Sequence, residues 1–349
     1  MMAISEYVKI NEESSEAKYQ QIVRSIIHNV VTGNLVVNQK IPSINDISEE
    51  LYVSRDTVER AYNILKKKRI ITSIRGKGSF VTRTKLISKT NILFLTNKYS
   101  AYKLEIYNAF INTLDENYHT DLRVYHCDEA LFLNILEKEA NAYDYYVVMP
   151  HFKTENQEHI SMTDGVSEAL NKIPKDKLIL MDNALGADFN QSITVYQDFE
   201  KDVYGALKKV KHKVDKYTKI NLVYPAKKVL PYPKRILNGV KRFCLECNFE
   251  FEVMEEIDDD LKLQKGELFI IIEDSELVRF IKQTKKHKNS LGAGVGILSY
   301  NDTPLKDVYG ISVISTDFKI MGETGANMLL NKEQGAFKVP FNFIDRGSF

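Results

Sequence analysis

Within residues 18–82 the apolar periodicity changes from helical to alternating, and few small domains accommodate that succession. Ile22, Ile26, Ile27 and Val30 recur at three- and four-residue spacing, so they line one face of a helix. Gly33 follows as its stop. A short helix is expected after Pro42-Ser43, with Ile44, Ile47 and Leu51 on one side. After a turn at Tyr52-Val53, Ser54 is placed to cap a third helix by accepting the Thr57 amide. Its inner face is Val58, Ala61, Tyr62 and Leu65. Two short alternating runs, 70–74 and 79–82, flank Arg75-Gly76-Lys77-Gly78 and read as a hairpin. Helix, helix-turn-helix and hairpin together make a winged helix-turn-helix over 1–82.

The charge supports a polyanionic partner. Between Arg55 and Lys89 there are 11 Lys or Arg residues against Asp56 and Glu59, whereas the whole chain is only +1. Such a block on one domain is an electrostatic footprint for nucleic acid. Ser54, Arg55 and Thr57 open the third helix, the position from which helix-turn-helix proteins reach base edges and phosphates. A guanidinium pairs with guanine through two hydrogen bonds, which makes Arg55 the candidate base reader. Thr57 and Arg60 are candidates for phosphate or base. Arg75, Lys77 and Gly78 form a wing tip whose glycines permit close backbone approach. The run 66–69 reads equally well as a solvated helix end that complements the helix dipole.

These residues resemble the DNA-binding domain of the GntR family of bacterial transcription regulators. The resemblance rests on Tyr19-Gln20-Gln21-Ile22, Thr32-Gly33, Ile41-Pro42-Ser43, 53–58 and the wing 75–81, in family order and spacing. It implies double-stranded operator DNA as partner and a homodimer on a palindromic site, with Ser43 among the contacts. The family usually has a Glu-Arg pair after Pro-Ser, whose Arg touches phosphate. Here Ile44-Asn45 stands there, so the resemblance implies that this contact is either weakened or replaced by Asn45.

After a polar, basic linker at 83–90 the pattern changes. Short apolar runs at 92–95, 122–125, 145–149 and 178–181 alternate with helical stretches at 103–117, 129–140 and 164–172. The alternation restarts with a helix at 199–212 and runs at 220–223, 249–253, 268–272 and 296–299, with helices at 235–247 and 275–286 between. Strands alternating with helices imply a parallel sheet covered on both faces. The fold class expected is α/β, with two doubly wound lobes and a cleft between them. Ligands of open α/β sheets bind beyond the carboxyl ends of the strands. That rule selects Asn97, Tyr99, Pro150, His151, Asp182, Asn183, Glu273, Asp274, Asn301 and Asp302, and the crossovers add Asp198 and Asp317. Amides and carboxylates suit sugar hydroxyls, and Tyr99 or Tyr102 suits a sugar face. The alternative for each carboxylate is a helix cap or a satisfied turn.

This second part resembles the sugar-sensing domain of the lactose-repressor family, built like periplasmic binding proteins. Met181-Asp182-Asn183, 195–198, Ile272-Glu273-Asp274, 296–302, 315–322 and 339–348 carry the resemblance, and the overall layout is similar to the arabinose-repressor branch of the GntR family. It implies lobe 1 at 91–195 and 318–335, lobe 2 at 196–316 and 337–349, and a monosaccharide or related effector that releases a repressor from its operator. The family's sugar-gripping Arg has no counterpart at Ile236, although Arg235 lies beside it.

Other classes are weighed against this reading. Some GntR proteins carry a pyridoxal-phosphate domain, which needs more residues than remain and a phosphate loop that is lacking here. An all-helical metal-sensing domain conflicts with the repeated β runs. No cofactor or metal is expected: Cys244-Leu245-Glu246-Cys247 has no second pair to complete a zinc site. The composition, 44% apolar and 27% charged, is that of a soluble globular chain. No apolar run reaches the roughly 18 residues that suggest a membrane span, and the polar N-terminus lacks a secretory core, so a cytoplasmic location is expected.

Overall fold

The computed structural model describes residues 8–11, 16–68, 70–82, 90–139, 142–185, 189, 191–225, 231–286, 292 and 294–349. They form two units, Met1–Thr90 and Asn91–Phe349. The stretch expected as the linker, 83–90, lies outside the described residues apart from Thr90.

The first unit contains α1 (Lys18–Val31), β1 (Lys40–Ile41), α2 (Ile44–Glu50), α3 (Arg55–Lys67), β2 (Ile71–Ile74) and β3 (Gly78–Val81). Ser43 and Asp46 form a reciprocal capping box on α2. Ser54 caps α3 by accepting the Thr57 amide. Ile22, Ile26, Ile47, Val58, Ala61, Tyr62 and Leu65 are buried in one core, and the Tyr62 hydroxyl donates to the Pro42 carbonyl at 2.5 Å. The strands pair antiparallel in the order β1-β3-β2. Ahead of α1, Val8 is part of the core, and the buried Gln21 amide exchanges hydrogen bonds with Asn11. A buried amide left unmatched costs about 1–3 kcal/mol, which is what fixes this segment against α1.

The second unit runs β4 (Thr90–Thr96), α4 (Ala101–Thr113), β5 (Tyr118–Val124), α5 (Glu129–Lys138), β6 (Tyr145–Val148), β7 (Phe152–Lys153), β8 (His159–Ile160), α6 (Asp164–Asn171), β9 (Leu178–Asn183) and β10 (Ile193–Gln197). It continues with α7 (Phe199–Lys209), α8 (Lys211–Val214), β11 (Lys219–Val223), α9 (Lys234–Cys247), β12 (Glu250–Met254), β13 (Glu267–Ile271), α10 (Asp274–Lys286), β14 (Val295–Tyr300), α11 (Pro304–Val308) and β15 (Val313–Thr316). Last come α12 (Phe318–Asn331), β16 (Gly335–Lys338) and β17 (Phe341–Ile344).

Beside the short antiparallel pair β7-β8, two six-stranded sheets result, ordered β16-β10-β9-β6-β4-β5 and β12-β11-β13-β14-β15-β17. In each, the first strand in sequence lies between the second and third, so β4 and β11 mark the switch points where doubly wound sheets open a crevice. Strand β4 explains its unbroken apolar run: Ile92 and Phe94 enter one core with Ile106 and Phe110, while Leu93 and Leu95 enter another with Phe132 and Val166. Two boundaries differ from expectation. Tyr196 and Gln197, expected in lobe 2, still belong to β10 of the first sheet. Strand β16 pairs in parallel with β10, so 335–338 complete the first sheet, and only β17, antiparallel to β15, completes the second. Helix α12 had already returned the chain to lobe 1, and its exit adds a strand there before crossing.

A glycine sets the spacing of one helix pair in each lobe. A Cβ on Gly322 of α12 would lie 2.7 Å from Ala109 Cβ on α4, and one on Gly239 of α9 would lie 2.6 Å from the Glu200 carbonyl on α7. Gly205 of α7 has nothing within 4 Å. We expect Gly322→Ala to destabilise by about 1–3 kcal/mol through overpacking, whereas Gly205→Ala stabilises by about 0.5–1 kcal/mol through helix propensity. Urea melts of both variants test this; equal midpoints would show that α4 and α12 have room to separate.

Candidate nucleic-acid interface and ligand cleft

Helix α3 presents Arg55 in its first turn, exposed and held by no acidic or carbonyl group among the described residues. The wing carries Arg75 and Lys77, likewise exposed, with Gly76 at φ 75° and Gly78 at φ 108° closing the tip. The left-handed backbone at Gly76 is one that a side chain rarely adopts. Asn45 stands exposed on α2 beside the capping box of Ser43. Two other side chains are already engaged. The Thr57 hydroxyl is 2.7 Å from Ser54 Oγ, and the Arg60 guanidinium lies 4.0 Å from the Tyr19 ring centroid.

In the second unit the carboxyl ends of β4, β6, β9, β10 and β14 meet around a cleft. Asn97, Lys98, Tyr102, His151 and Gln197 line it from lobe 1; Phe199, Tyr232, Pro233, Ile236, Tyr300 and Asn301 line it from lobe 2. The enclosed cavity is about 10 Å³, room for roughly one water. At its floor Asp182 is fully buried with a left-handed backbone, φ 75°. Its carboxylate accepts from Lys103 Nζ, from His151 Nε2 at 2.8 Å and from Gln197 Nε2 at 2.5 Å. His151 Nδ1 is 2.7 Å from His159 Nε2, and Gln197 Oε1 accepts from Thr316 Oγ1 at 2.6 Å. That last bond ties two of the crossovers together. Across the cleft, Arg235 on α9 donates to Asn183 Oδ1 at 2.5 Å while its guanidinium lies over Phe199.

Charge states follow from these partners. Burial alone would raise the Asp182 carboxyl, but Lys103, His151 and their hydrogen bonds hold it well below the usual carboxylate range. Burial, with Lys103 nearby, pushes His151 down to about 4, and burial with the neighbouring imidazole depresses His159 as well. A carboxylate only accepts, so neutral His151 donates from Nε2 and its Nδ1 accepts from His159.

Comparison with known proteins divides along the same boundary. Residues 18–81 match the family of bacterial regulatory proteins, gntR family. The N-terminal unit is a gntR-type helix-turn-helix domain. It is 32% identical over 74 residues to the arabinose metabolism transcriptional repressor of Geobacillus stearothermophilus, a match covering 21% of this chain and only 20% of that relative. The remainder is similar in structure to a LacI family transcriptional regulator from Enterococcus faecium with bound ribose, at TM-score 0.56 and 16% identity over 74% of this chain and 98% of that one. It is similar also to the trehalose repressor from Escherichia coli, at TM-score 0.56 and 14% identity over 74% of this chain and 100% of that one. At such identities the likeness establishes the fold: a two-lobed domain of the periplasmic-binding-protein type following the gntR-type domain.

Of the residues expected around a ligand, the structure brings together Asn97, Tyr102, His151 and Asn301 on the cavity wall, with Asn183 and Arg235 bonded to each other beside it. It does not bring in the others. Tyr99 is 68% exposed. Asp198 and Asp317 cap α7 and α12, accepting the Lys201 and Ile320 amides. Asp274 opens α10 and pairs with Lys306 at 2.8 Å, Glu273 is outside the cavity lining, and Asp302 holds Arg346 through two hydrogen bonds. Carboxylates at strand ends here serve amides and cations of their own lobe first. Sequence reasoning did not single out Lys98, Lys103, His159, Gln197, Tyr232 or Tyr300. Lys98 follows a strand-end residue directly and was within reach of the same rule. Among the described residues no His, Cys, Asp and Glu cluster is suited to hold a metal, and Cys244 and Cys247 are free.

The buried histidine predicts that the second unit is acid-sensitive. His151 is neutral in the folded state down to about pH 4, while the unfolded chain protonates it below its ordinary value of 6.5. Its contribution is therefore complete above pH 6.5 and is lost as pH falls toward 4, by up to about 3 kcal/mol. The contribution of Asp182, whose folded value is depressed, is lost only below the ordinary 3.8. Melting temperatures between pH 7.5 and 4.5 should fall, and His151→Gln should flatten the slope. An unchanged slope in that variant would remove His151 from the linkage.

Proposed function

We propose that this chain is a ligand-controlled transcriptional repressor. Two copies bind a palindromic operator through the winged helix-turn-helix, assigned to 1–82, and the 91–349 domain, reached through the linker 83–90, senses a sugar-like effector that releases the DNA. The observation that carries this reading is the union, in one chain, of a gntR-type domain with a two-lobed domain whose cleft gathers buried polar groups at the strand ends of both lobes. The names of the arabinose and trehalose repressors point the same way. Action on operator DNA puts the protein in the cytoplasm, and among the described residues no helix is long and apolar enough to cross a membrane. The reading assigns the chain no chemical step.

A bound effector acts only through its differential affinity for the two lobe arrangements. In the present arrangement Arg235 and Asn183 satisfy each other across the cleft. An effector that engages either of them replaces that bond and so favours a different separation of the lobes. A coupling of about 1–3 kcal/mol, or 5–150-fold in operator affinity, is typical of such switches.

Arg55→Ala should cost roughly 1–3 kcal/mol per half-site and relax sequence preference, whereas Lys77→Ala should weaken binding evenly and lower the salt slope by about one. Fluorescence-anisotropy titrations against cognate and scrambled operators measure both. Intact discrimination in Arg55→Ala would assign base reading elsewhere on α2 or α3. Light scattering of the operator complex should give about 80 kDa of protein, twice the 40.2 kDa chain, as expected for a two-fold dimer. A single copy on a non-palindromic site would overturn the dimeric reading.

A further inference from the structure

Two cations stand at the cleft with no carboxylate partner among the described residues, Lys98 and Arg235. Lys103 is neutralised by Asp182. Arg235 has the Asn183 oxygen and the Phe199 ring. Lys98 has less: only 8% of the residue is exposed, and its Nζ sits 4.3 Å from the Tyr232 ring centroid, with no hydrogen bond or ion pair to another of the described residues. Taking an ammonium out of water without a counter-charge is costly. Burial, reinforced by Lys103, depresses the Lys98 pKa, and the nearby Cys127, Asp182 and Glu273 offset only part of that effect.

Around it lie further groups waiting for partners. Asn97 Oδ1, Ser100 Oγ, the Tyr300 hydroxyl and Asn301 Oδ1 are buried and make no hydrogen bond. Asn97, Lys98, Tyr300 and Asn301 line the same cavity, and Asn97 and Tyr300 are each 3% exposed. Ser100 is the N-cap of the 13-residue helix α4, yet its side chain makes no capping bond. The positive end of that helix dipole therefore adds to the field at Lys98. Native structures match nearly all buried polar groups, so a concentration of unmatched ones beside an unpaired ammonium marks the place of a ligand.

We infer that the effector carries an anionic group, a phosphate or a carboxylate, on a polyhydroxylated body, and that Lys98 is its ion partner. The α4 N-terminus shares the charge, and Asn97, Tyr300 and Asn301 are left for hydroxyls. A neutral sugar would fill the cleft and still leave Lys98 unpaired. The inference rests on the reading of this cleft as the effector site. Because the cavity holds only about one water, the ligand enters with the lobes parted and Tyr232 withdrawn from Lys98.

The test uses the full chain, wild type, Lys98→Gln and Lys98→Arg. Pentoses, hexoses and disaccharides are supplied as neutral sugars, as sugar acids and as sugar phosphates, with inorganic phosphate alone alongside; thermal shift is followed by calorimetry. At least one charged form should bind about tenfold or more tightly than its neutral parent, and which charged form does so separates phosphate from carboxylate. Lys98→Gln should abolish that advantage and Lys98→Arg should restore it. Without ligand, Lys98→Gln should melt at the same or a higher temperature, because it removes a buried unpaired charge. Neutral sugars binding as tightly as their charged forms, unaffected by Lys98→Gln, would overturn the anionic class and leave the cleft as effector site. No binding by any form would overturn both. A lower ligand-free melting temperature in Lys98→Gln would show Lys98 to be satisfied already, and would also sink the inference.

Discussion

The two-lobed domain depends on one buried carboxylate. Asp182 ends β9, lies out of solvent, and takes donors from α4, from the loop after β6 and from the end of β10. Burying a carboxylate costs several kcal/mol, and only a complete set of partners offsets it. The set therefore acts as one constraint: Lys103 fixes the start of α4, His151 fixes the loop that carries His159, and Gln197 fixes the crossover to lobe 2. Removing one partner leaves an uncompensated charge, a loss of about 3–5 kcal/mol in such buried pairs. The left-handed backbone at Asp182 adds strain that these bonds must also overcome. Asn301, at the corresponding strand end of the other lobe, is left-handed too, at φ 61°, and there the amide oxygen has no partner. One lobe's strand end is thus satisfied internally, while the other's is left to something from outside.

The parts of this chain legible in the sequence are those fixed by short-range chemistry. The Ser43 and Ser54 caps, the helix faces of the first unit and the wing glycines each depend on residues a few positions apart, so the winged helix is read almost residue by residue. Doubly wound lobes are legible for a related reason: a strand buried on both faces, such as β4, has to be apolar throughout. The cleft is different. Lys103 and Asp182 are distant in sequence and meet only because β9 and the start of α4 end at the same edge of the sheet. Nothing local distinguishes Lys98 from a solvated lysine. Asp198 and Asp317 look the same in sequence as a sugar-binding carboxylate, but each precedes a helix whose free amides claim it. The expected lobe bounds of 335 and 337 cut through β16, because the sequence pattern of a strand does not say which sheet it joins.

Where the crossovers meet, the bonding is dense. Gln197 and Thr316 join two of them, the Val339 amide donates to the Tyr196 carbonyl, and the Asp317 amide donates to the Pro340 carbonyl. Asp202 of α7, almost fully buried, receives Lys338 from the third at 2.5 Å. Backbone paired in this way resists stretching but permits rotation of one lobe on the other, the motion that hinged two-lobed domains use. The bonds that oppose such rotation lie beyond the hinge, and Arg235 to Asn183 is one that spans the cleft directly.

That division decides which residues can report on a ligand and which cannot. Asp182 and its donors are common to any lobe separation, except where Gln197 links to the crossover, so a change there alters stability before it alters response. Lys98, Asn97, Tyr300, Asn301 and Arg235 gain or lose partners as the lobes move, so their bonding energy differs between arrangements. Only a difference of that kind can shift a population. If the cleft takes an anion as proposed, Lys98 is the group whose bonding differs most between parted and closed lobes. On the proposed reading the ligand would supply that difference at Lys98, while the hinge and the Asp182 network hold the lobe together independently of it.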